Sequence, residues 1–247
     1  MDITLIAVAA VTFTLAGFVK GVIGLGLPTV AMGVLGSAIP PAQAAALLLF
    51  PTIVTNVWQM ATGPGLGPLL RRLWPMLLAA AVCTWLSSGL LTGGNPRIAL
   101  AGLGAALIVN AAIGLRPRPF PRLPPQHEAW AGPLAGAATG IVTGATGVSV
   151  IPVAPYLGAL GLPRDEMVQA LGLAFTVTMF GLASALGQAG VYSGGLAGAS
   201  ALCLIPASIG MMLGNAARKR ISPETFRRWF YFGLLALGAQ LIARGFG

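Results

Sequence analysis

The sequence predicts an all-α integral membrane protein made of two inverted-topology repeats, each of about five helical segments with a short broken helix. Three observations predict it. Of the 247 residues, 56% are hydrophobic and only 8% charged, with a mean hydropathy of +0.87; an ordinary soluble domain carries roughly 25% charged residues. A glycine-rich motif followed by a proline occurs once in each half. The basic residues sit in short clusters between apolar runs of about 20 residues, the length that crosses a bilayer. These runs continue from end to end and leave no room for a separate soluble domain. The 35 glycines supply the small surfaces that helices need to pack closely in lipid.

The first motif is Gly17-Phe18-Val19-Lys20-Gly21-Val22-Ile23-Gly24-Leu25-Gly26-Leu27-Pro28, which puts a cation and four glycines into an apolar run. Its second copy is Gly136-Ala137-Ala138-Thr139-Gly140-Ile141-Val142-Thr143-Gly144-Ala145-Thr146-Gly147, followed by Pro152. Glycine tolerates dihedrals that other residues resist and proline removes a backbone donor, so each copy should break a membrane helix. Irregular backbone at membrane depth survives only inside protein or along a cavity, and a duplicated break is the best sequence pointer to a transporter's binding site.

In chain order, the first segment runs from about Ile3 to Val22. It follows no basic leader, which makes it a retained helix rather than a signal peptide. After the break at Gly24 to Leu27 comes a short segment, about Pro28 to Leu35, too short to span comfortably. The third follows Pro40 and Pro41 to about Ala61, and the fourth covers about Pro68 to Leu91. Asn95-Pro96 opens the fifth, which ends near Leu115: asparagine is a favoured N-cap and proline fits the first helical position. The prolines of Arg116 to His127 forbid a regular helix, so residues 116–128 read as a linker between a first repeat, 1–115, and a second, 129–247. In the second repeat the segments cover about Trp130 to Val142, Val148 to Leu160, a third opening at Pro163, Gly195 to Ala217, and a fifth opening at Ser222-Pro223. Asp165 and Glu166 suit the positive end of the third segment's helix dipole. Trp58, Trp74, Trp130, Tyr192, Trp229 and Tyr231 fall near segment ends, where aromatic rings sit at headgroup level.

Charge orients the repeats. Arg71 with Arg72, the arginines of the linker, Arg164 and the Arg218-Lys219-Arg220 cluster all fall on one side if each half has five segments and the second is inverted. With four spans per half they would not. The positive-inside rule makes that side cytoplasmic, with both termini outside and Arg97 and Arg244 as exceptions. The expected location is a bacterial inner membrane, crossed several times.

Lys20 precedes the first break instead of lying in a loop. It either snorkels to the headgroups or faces a cavity and offers positive charge to an anion; an unpartnered ammonium at membrane depth costs about 3 kcal/mol. Helix starts near Pro28 and Val148 present free N–H groups and partial positive charge, which bind anions. Gly21, Gly24, Gly26, Thr29 and Asn56 from the first half, with Gly140, Thr143, Gly144, Thr146, Gly147 and Ser149 from the second, complete the expected substrate site: backbone donors and hydroxyls around one cation suit a small oxyanion. The competing role for the glycines is tight helix packing. Gln59, Thr176, Thr178 and the matched pair Gln43 and Gln169 bond neighbouring helices or line the same site.

Other chemistry is excluded. The acids Asp2, Glu128, Asp165, Glu166 and Glu224 lie near segment ends, leaving no mid-membrane carboxylate to relay protons or hold sodium. Cys83 and Cys203 have no partner at ligand or disulfide spacing, and His127 is alone in the linker, so neither a metal, a cofactor nor a nucleophile with its base is expected. A net charge of +9 without a basic folded face does not point to nucleic acid.

The motifs GFVKGVIGLG and GAATGIVTGATG with Pro152, the basic linker between halves and the total length resemble the TauE/SafE family of bacterial membrane permeases, over nearly the whole chain. Where typical members carry consecutive glycines, Leu25 and Leu27 interrupt the first motif and Ala145 and Val148 the second. The resemblance implies a transporter of sulfite, organosulfonates or related small sulfur-containing or carboxylate anions, exporting them through the inner membrane. The alternatives are an anion channel and a membrane scaffold or assembly factor without a transported solute. The partners expected are the anion and the lipid bilayer, with a homodimer as one assembly open to the chain.

The charge distribution generates a test. Single cysteines in the linker and beside Arg220, in a background lacking Cys83 and Cys203, should both resist an impermeant thiol reagent added from outside the cell. Labelling beside Arg220 from outside would mean parallel halves.

Overall fold

The computed structural model describes residues 3–117, 120–218 and 220–246. Asp2, Arg118 and Lys219, which belong to the charge pattern above, and Pro119 of the linker lie outside the described residues. Twelve α-helices and one 3-10 turn make up the fold, with no strand among the described residues. Among the described residues seven stretches are long and apolar enough to cross a membrane: Thr4–Ile23, Pro41–Ala61, Leu66–Thr92, Pro96–Gly114, Arg164–Gln188, Gly194–Ala217 and Glu224–Phe246. The chain is a multi-pass membrane protein.

Helix α1 (Ile3–Ile23) ends at the first break, where Gly24 and Gly26 adopt φ of +82° and +105°, conformations that an L side chain resists. Helix α2 (Leu27–Gly36) starts there with Pro28 in its first turn. Helix α3 (Pro41–Ala61) follows, then α4 (Leu66–Ser87), which breaks at Ser88 before the single turn α5 (Gly89–Thr92). Helix α6 (Pro96–Gly114) is capped as expected: the Asn95 side chain accepts from the backbone N–H of Arg97 at 2.9 Å.

In the second half α7 (Glu128–Thr146) is longer than expected. The segment predicted to stop at Val142 continues through Thr143 and Gly144 as regular helix, and the break moves to Gly147, with φ of +73°. Consequently the next helix, α8 (Val153–Ala159), begins five residues later than the expected start at Val148 and has only seven residues. Residues 147–152 form the loop between them. Helix α9 (Arg164–Gln188) carries Asp165 and Glu166 in its first turn. The stretch expected as one segment from Gly195 is two helices, α10 (Gly194–Leu202) and α11 (Leu204–Ala217), parted at Cys203 as α4 and α5 are at Ser88. Helix α12 (Pro223–Phe246) closes the chain.

The glycine motifs pack helices together. Gly17 and Gly21 of α1 lie against Ala207, Met211 and Asn215 of α11, while Gly210 and Gly214 of α11 lie against Thr14 and Phe18 of α1. These helices run parallel with backbone on backbone. Gly136, Gly140 and Gly144 of α7 pack the same way against Met76, Ala80 and Thr84 of α4. Each motif helix therefore pairs with a helix of the other half. The other two large contacts are antiparallel: α6 with α12, where Gly104 and Gly238 approach each other, and α3 with α9, where Gly172 meets Asn56 and Met60.

A proline inside α3 tests the rule that no backbone group is left unmet in lipid. Pro51 has no N–H, so the Leu47 carbonyl loses its helical donor. The Ser200 hydroxyl of α10 donates to Leu47 O at 2.8 Å and accepts from Phe50 N at 3.1 Å.

Contacts group the basic residues at one end. A bidentate ion pair joins Arg72 of α4 to Glu128 at the start of α7, at 2.9 and 2.6 Å. Gln169, near the start of α9, donates to Met60 O at 2.7 Å and accepts from Gly65 N at 2.8 Å, which puts Arg164 near the loop before α4. Arg116 and Arg227 share one cavity, and Arg164, Arg218 and Arg227 another. Arg97 and Arg244, the expected exceptions, are at the other end: Arg244 donates to Ser37 O at 2.6 Å beyond α2, and Arg97 lines a hollow with Ser37.

Two sequence expectations are corrected. Tyr231 is buried, its ring lying over Gly114, because α6 and α12 approach closely enough there to enclose it. Gln43 is exposed while Gln169 is buried and bridges two backbone groups, so the matched pair is not matched in environment.

A Cβ at Gly136 would collide with the Met76 carbonyl, and one at Gly65 would meet nothing. Gly136→Val should destabilise the purified protein by about 1–3 kcal/mol and lower its melting temperature. Gly65→Val should melt like the parent.

Candidate functional site

Lys20 sits in the last turn of α1 and is 4% exposed, so it does not snorkel. Its ammonium donates to Thr55 Oγ1 at 3.0 Å and to Asn56 Oδ1, both on α3 and both buried. These acceptors are neutral. Among the described residues the single salt bridge is that of Arg72 with Glu128, so no carboxylate neutralises Lys20. Two of the ammonium's three donors are used; the third remains available.

The local sequence explains why the acceptors are ready. Thr55 donates its own proton back to Pro51 O at 2.7 Å, so its oxygen's lone pairs face Lys20. Asn56 accepts through its carbonyl, which leaves its amide: Asn56 Nδ2 has no hydrogen-bond partner in the protein. Four other fully enclosed polar atoms share that condition: Thr29 Oγ1 in the first turn of α2, Thr52 Oγ1 one turn before Asn56 on α3, Asn110 Nδ2 on α6, and Ser149 Oγ in the loop after α7. A buried polar group left unpaired costs about 1–3 kcal/mol. Five of them in one membrane domain, together with a buried cation, are a set of groups lacking a partner of complementary chemistry.

The expected site residues divide accordingly. Lys20 and Asn56 are brought together, and Thr29 and Ser149 have free hydroxyls. Thr143 and Thr146 are buried but committed, donating to Thr139 O at 2.7 Å and Val142 O at 2.6 Å within α7. Thr146 also accepts from Val148 N at 3.2 Å and so ties down the loop. Gly21, Gly140 and Gly144, expected along the site, are instead occupied by helix contacts, because their lack of a Cβ is used by α11 and α4. Gly24 and Gly26 form the first break and Gly147 the second. The expected helix-start donors at Val148 are absent, since α8 begins beyond Pro152.

Thr52, Thr55 and Asn110 were missed. Thr52, Thr55 and Asn56 fall on one face of α3, spaced by three and four residues in an apolar helix, and that spacing was a readable signal. Asn110 had none beyond being polar in an apolar run. Of the other polar candidates, Gln59 donates to Val168 O at 2.8 Å, Thr176 to Gly172 O at 2.7 Å and Thr178 to Phe175 O at 3.1 Å, all satisfied within the helical frame. No cluster of histidine, cysteine or carboxylate side chains able to hold a metal occurs among the described residues.

A family model described as "Sulfite exporter TauE/SafE" matches residues 9–241 of the chain. No curated protein matches it, and no solved structure does.

The Lys20 contacts make a stability prediction. Asn56→Leu should destabilise the purified protein by roughly 2–3 kcal/mol, since it strips a buried charge of an acceptor. The double variant Lys20→Met, Asn56→Leu should regain most of that loss, because removing both partners leaves nothing unmet. Equal melting temperatures for the single and double variants would show that the two side chains are not coupled.

Proposed function

The chain belongs to the TauE/SafE family of membrane transporters, and from that premise we propose that it is a secondary transporter of small oxyanions: sulfite, organosulfonates or related sulfur-containing or carboxylate anions. The observation that carries this reading is Lys20, a buried ammonium held by neutral oxygens with no carboxylate among the described residues to neutralise it. An anion supplies the missing charge. The free Asn56 amide offers it a donor, and the hydroxyls of Thr29, Thr52 and Ser149 and the Asn110 amide are further polar groups that such a ligand could satisfy. Helix α2 adds the positive end of its dipole, with Thr29 in its first turn.

The burial of Lys20 favours a carrier over a channel. With 4% of its surface exposed, the ammonium is reached from neither side without movement of the surrounding helices, as alternating access requires. The same reading takes residues 1–115 and 129–247 as inverted repeats joined by 116–128. Support comes from the parallel exchange of motif helices, α1 with α11 and α7 with α4, beside the antiparallel pairs α3 with α9 and α6 with α12. The membrane is taken to be the inner membrane with the arginine-rich end in the cytoplasm, following the positive-inside rule.

A thermal-shift screen of the purified protein with sulfite, sulfoacetate, taurine, sulfate and small carboxylates tests the reading. At least one oxyanion should raise the melting temperature saturably. Lys20→Arg and Lys20→Gln should each weaken that binding tenfold or more, about 1.4 kcal/mol. A planar guanidinium does not fit the point-charge geometry between Thr55 and Asn56, and glutamine lacks the charge. Parental affinity in Lys20→Gln would move the anion away from Lys20 altogether.

A further inference from the structure

We propose that Arg164, Arg218 and Arg227 form a capture site for the transported oxyanion at the arginine-rich end of the protein, the station it occupies before reaching Lys20. This rests on the transporter reading above. The three guanidinium groups come from separate elements, the first residue of α9, the residue capping α11 and the first turns of α12, and they converge on one cavity of about 230 Å³. Gly24 and Ile23 belong to the same lining, so the cavity lies at the foot of the first break.

The link to Lys20 is covalent and short. Gly24 N donates to Lys20 O at 2.7 Å, closing the last helical turn of α1, so the cavity wall lies one helical turn along the chain from Lys20. A Cβ at Gly24 would touch nothing, in contrast to the packed Gly17 and Gly21. The break thus presents open backbone to this cavity and a buried cation behind it.

Three positive charges against one carboxylate, Glu224, line the cavity. Glu224 is engaged with Ser222, whose hydroxyl donates to it at 3.1 Å. None of the three arginines forms a salt bridge or a side-chain hydrogen bond among the described residues. The positive-inside rule demands only that arginines be on this side; it does not demand that three of them meet at a glycine break. Arg71, exposed on the same end, is not among the residues around this cavity. Guanidinium forks bind sulfonate, sulfite and carboxylate oxygens in bidentate fashion, and a concave cluster of one sign concentrates the opposite ion and speeds its arrival. A lipid phosphate offers the same oxyanion chemistry, so the test must separate a headgroup from the solute.

Sulfite is the probe. The parent and the variants Arg164→Gln, Arg218→Gln and Arg227→Gln are reconstituted in phosphatidylcholine vesicles, and sulfite flux is measured with substrate offered from each side at low ionic strength. Each variant should raise the half-saturation concentration from the arginine-rich side about three- to tenfold, more than from the opposite side and more than it lowers the maximal rate. Screening in about 0.5 M salt should shrink the difference. Arginine-to-lysine variants at the three positions keep the charge without the fork and should fall between the glutamine variants and the parent, which separates lost charge from lost folding, and Arg71→Gln should behave as the parent. Parental half-saturation in all three glutamine variants would overturn the capture site and leave the Lys20 reading standing. So would an effect seen only when phosphatidylglycerol is added, which would assign the arginines to lipid. A parent that moves no sulfite would remove the transport reading for this anion and the capture site with it.

Discussion

No water relieves an unmet backbone donor or acceptor inside lipid, and the rest of this structure depends on how the chain meets that constraint where its helices break. The second break is buried and the first, half-buried, opens at Gly24 onto a cavity; both follow helices that carry glycines at the spacing of one turn. Those glycines let α1 lie directly on α11 and α7 on α4. The approach is closer than side chains would allow, and it is made across the two halves, so each half shelters the other's irregular segment. The Ser200 hydroxyl meets the same constraint on a smaller scale, replacing the hydrogen bond that Pro51 removes from α3.

Enclosure sets the electrostatics. An ammonium in this interior has lost its hydration and has received two neutral acceptors in return. Neutral oxygens hold and orient a cation without cancelling its charge. A carboxylate in their place would have made a closed ion pair with little attraction left for an incoming anion. The scarcity of acids in the membrane-spanning helices is therefore part of the proposed site. Asp165, Glu166, Glu128 and Glu224 all sit in first helical turns, where the helix dipole accommodates them.

The arginines bear two physical consequences at once. Their collection at one end is the pattern that the positive-inside rule assigns to the cytoplasm, and the same charges create a positive field over that end of the folded protein. Arg72 is withdrawn from that field by its bidentate pair with Glu128, which fastens α4 to α7. Arg244 at the opposite end is used to hold the carbonyl after α2. Arg164, Arg218 and Arg227 line the cavity at Gly24 and form no salt bridge among the described residues.

Composition and punctuation determined the membrane class, the order of the segments and many of their ends, though not the splitting of two of them at Ser88 and Cys203. Apolar length and proline or glycine position are local properties, so Asn95-Pro96 capped α6, and Pro40-Pro41 and Pro163 opened α3 and α9, as the sequence implies. Lys20 and Asn56 could be singled out because a charge or amide in an apolar run is conspicuous in one dimension. Their contact could not, since 36 residues separate them and only the folded chain brings the Lys20 side chain to α3. The glycine motifs show the limit most clearly. A glycine that bends the chain and a glycine that admits a neighbouring backbone are the same letter. The tertiary structure alone decided that Gly24, Gly26 and Gly147 do the first while Gly17, Gly21, Gly136, Gly140 and Gly144 do the second, because the difference is in what lies across from them.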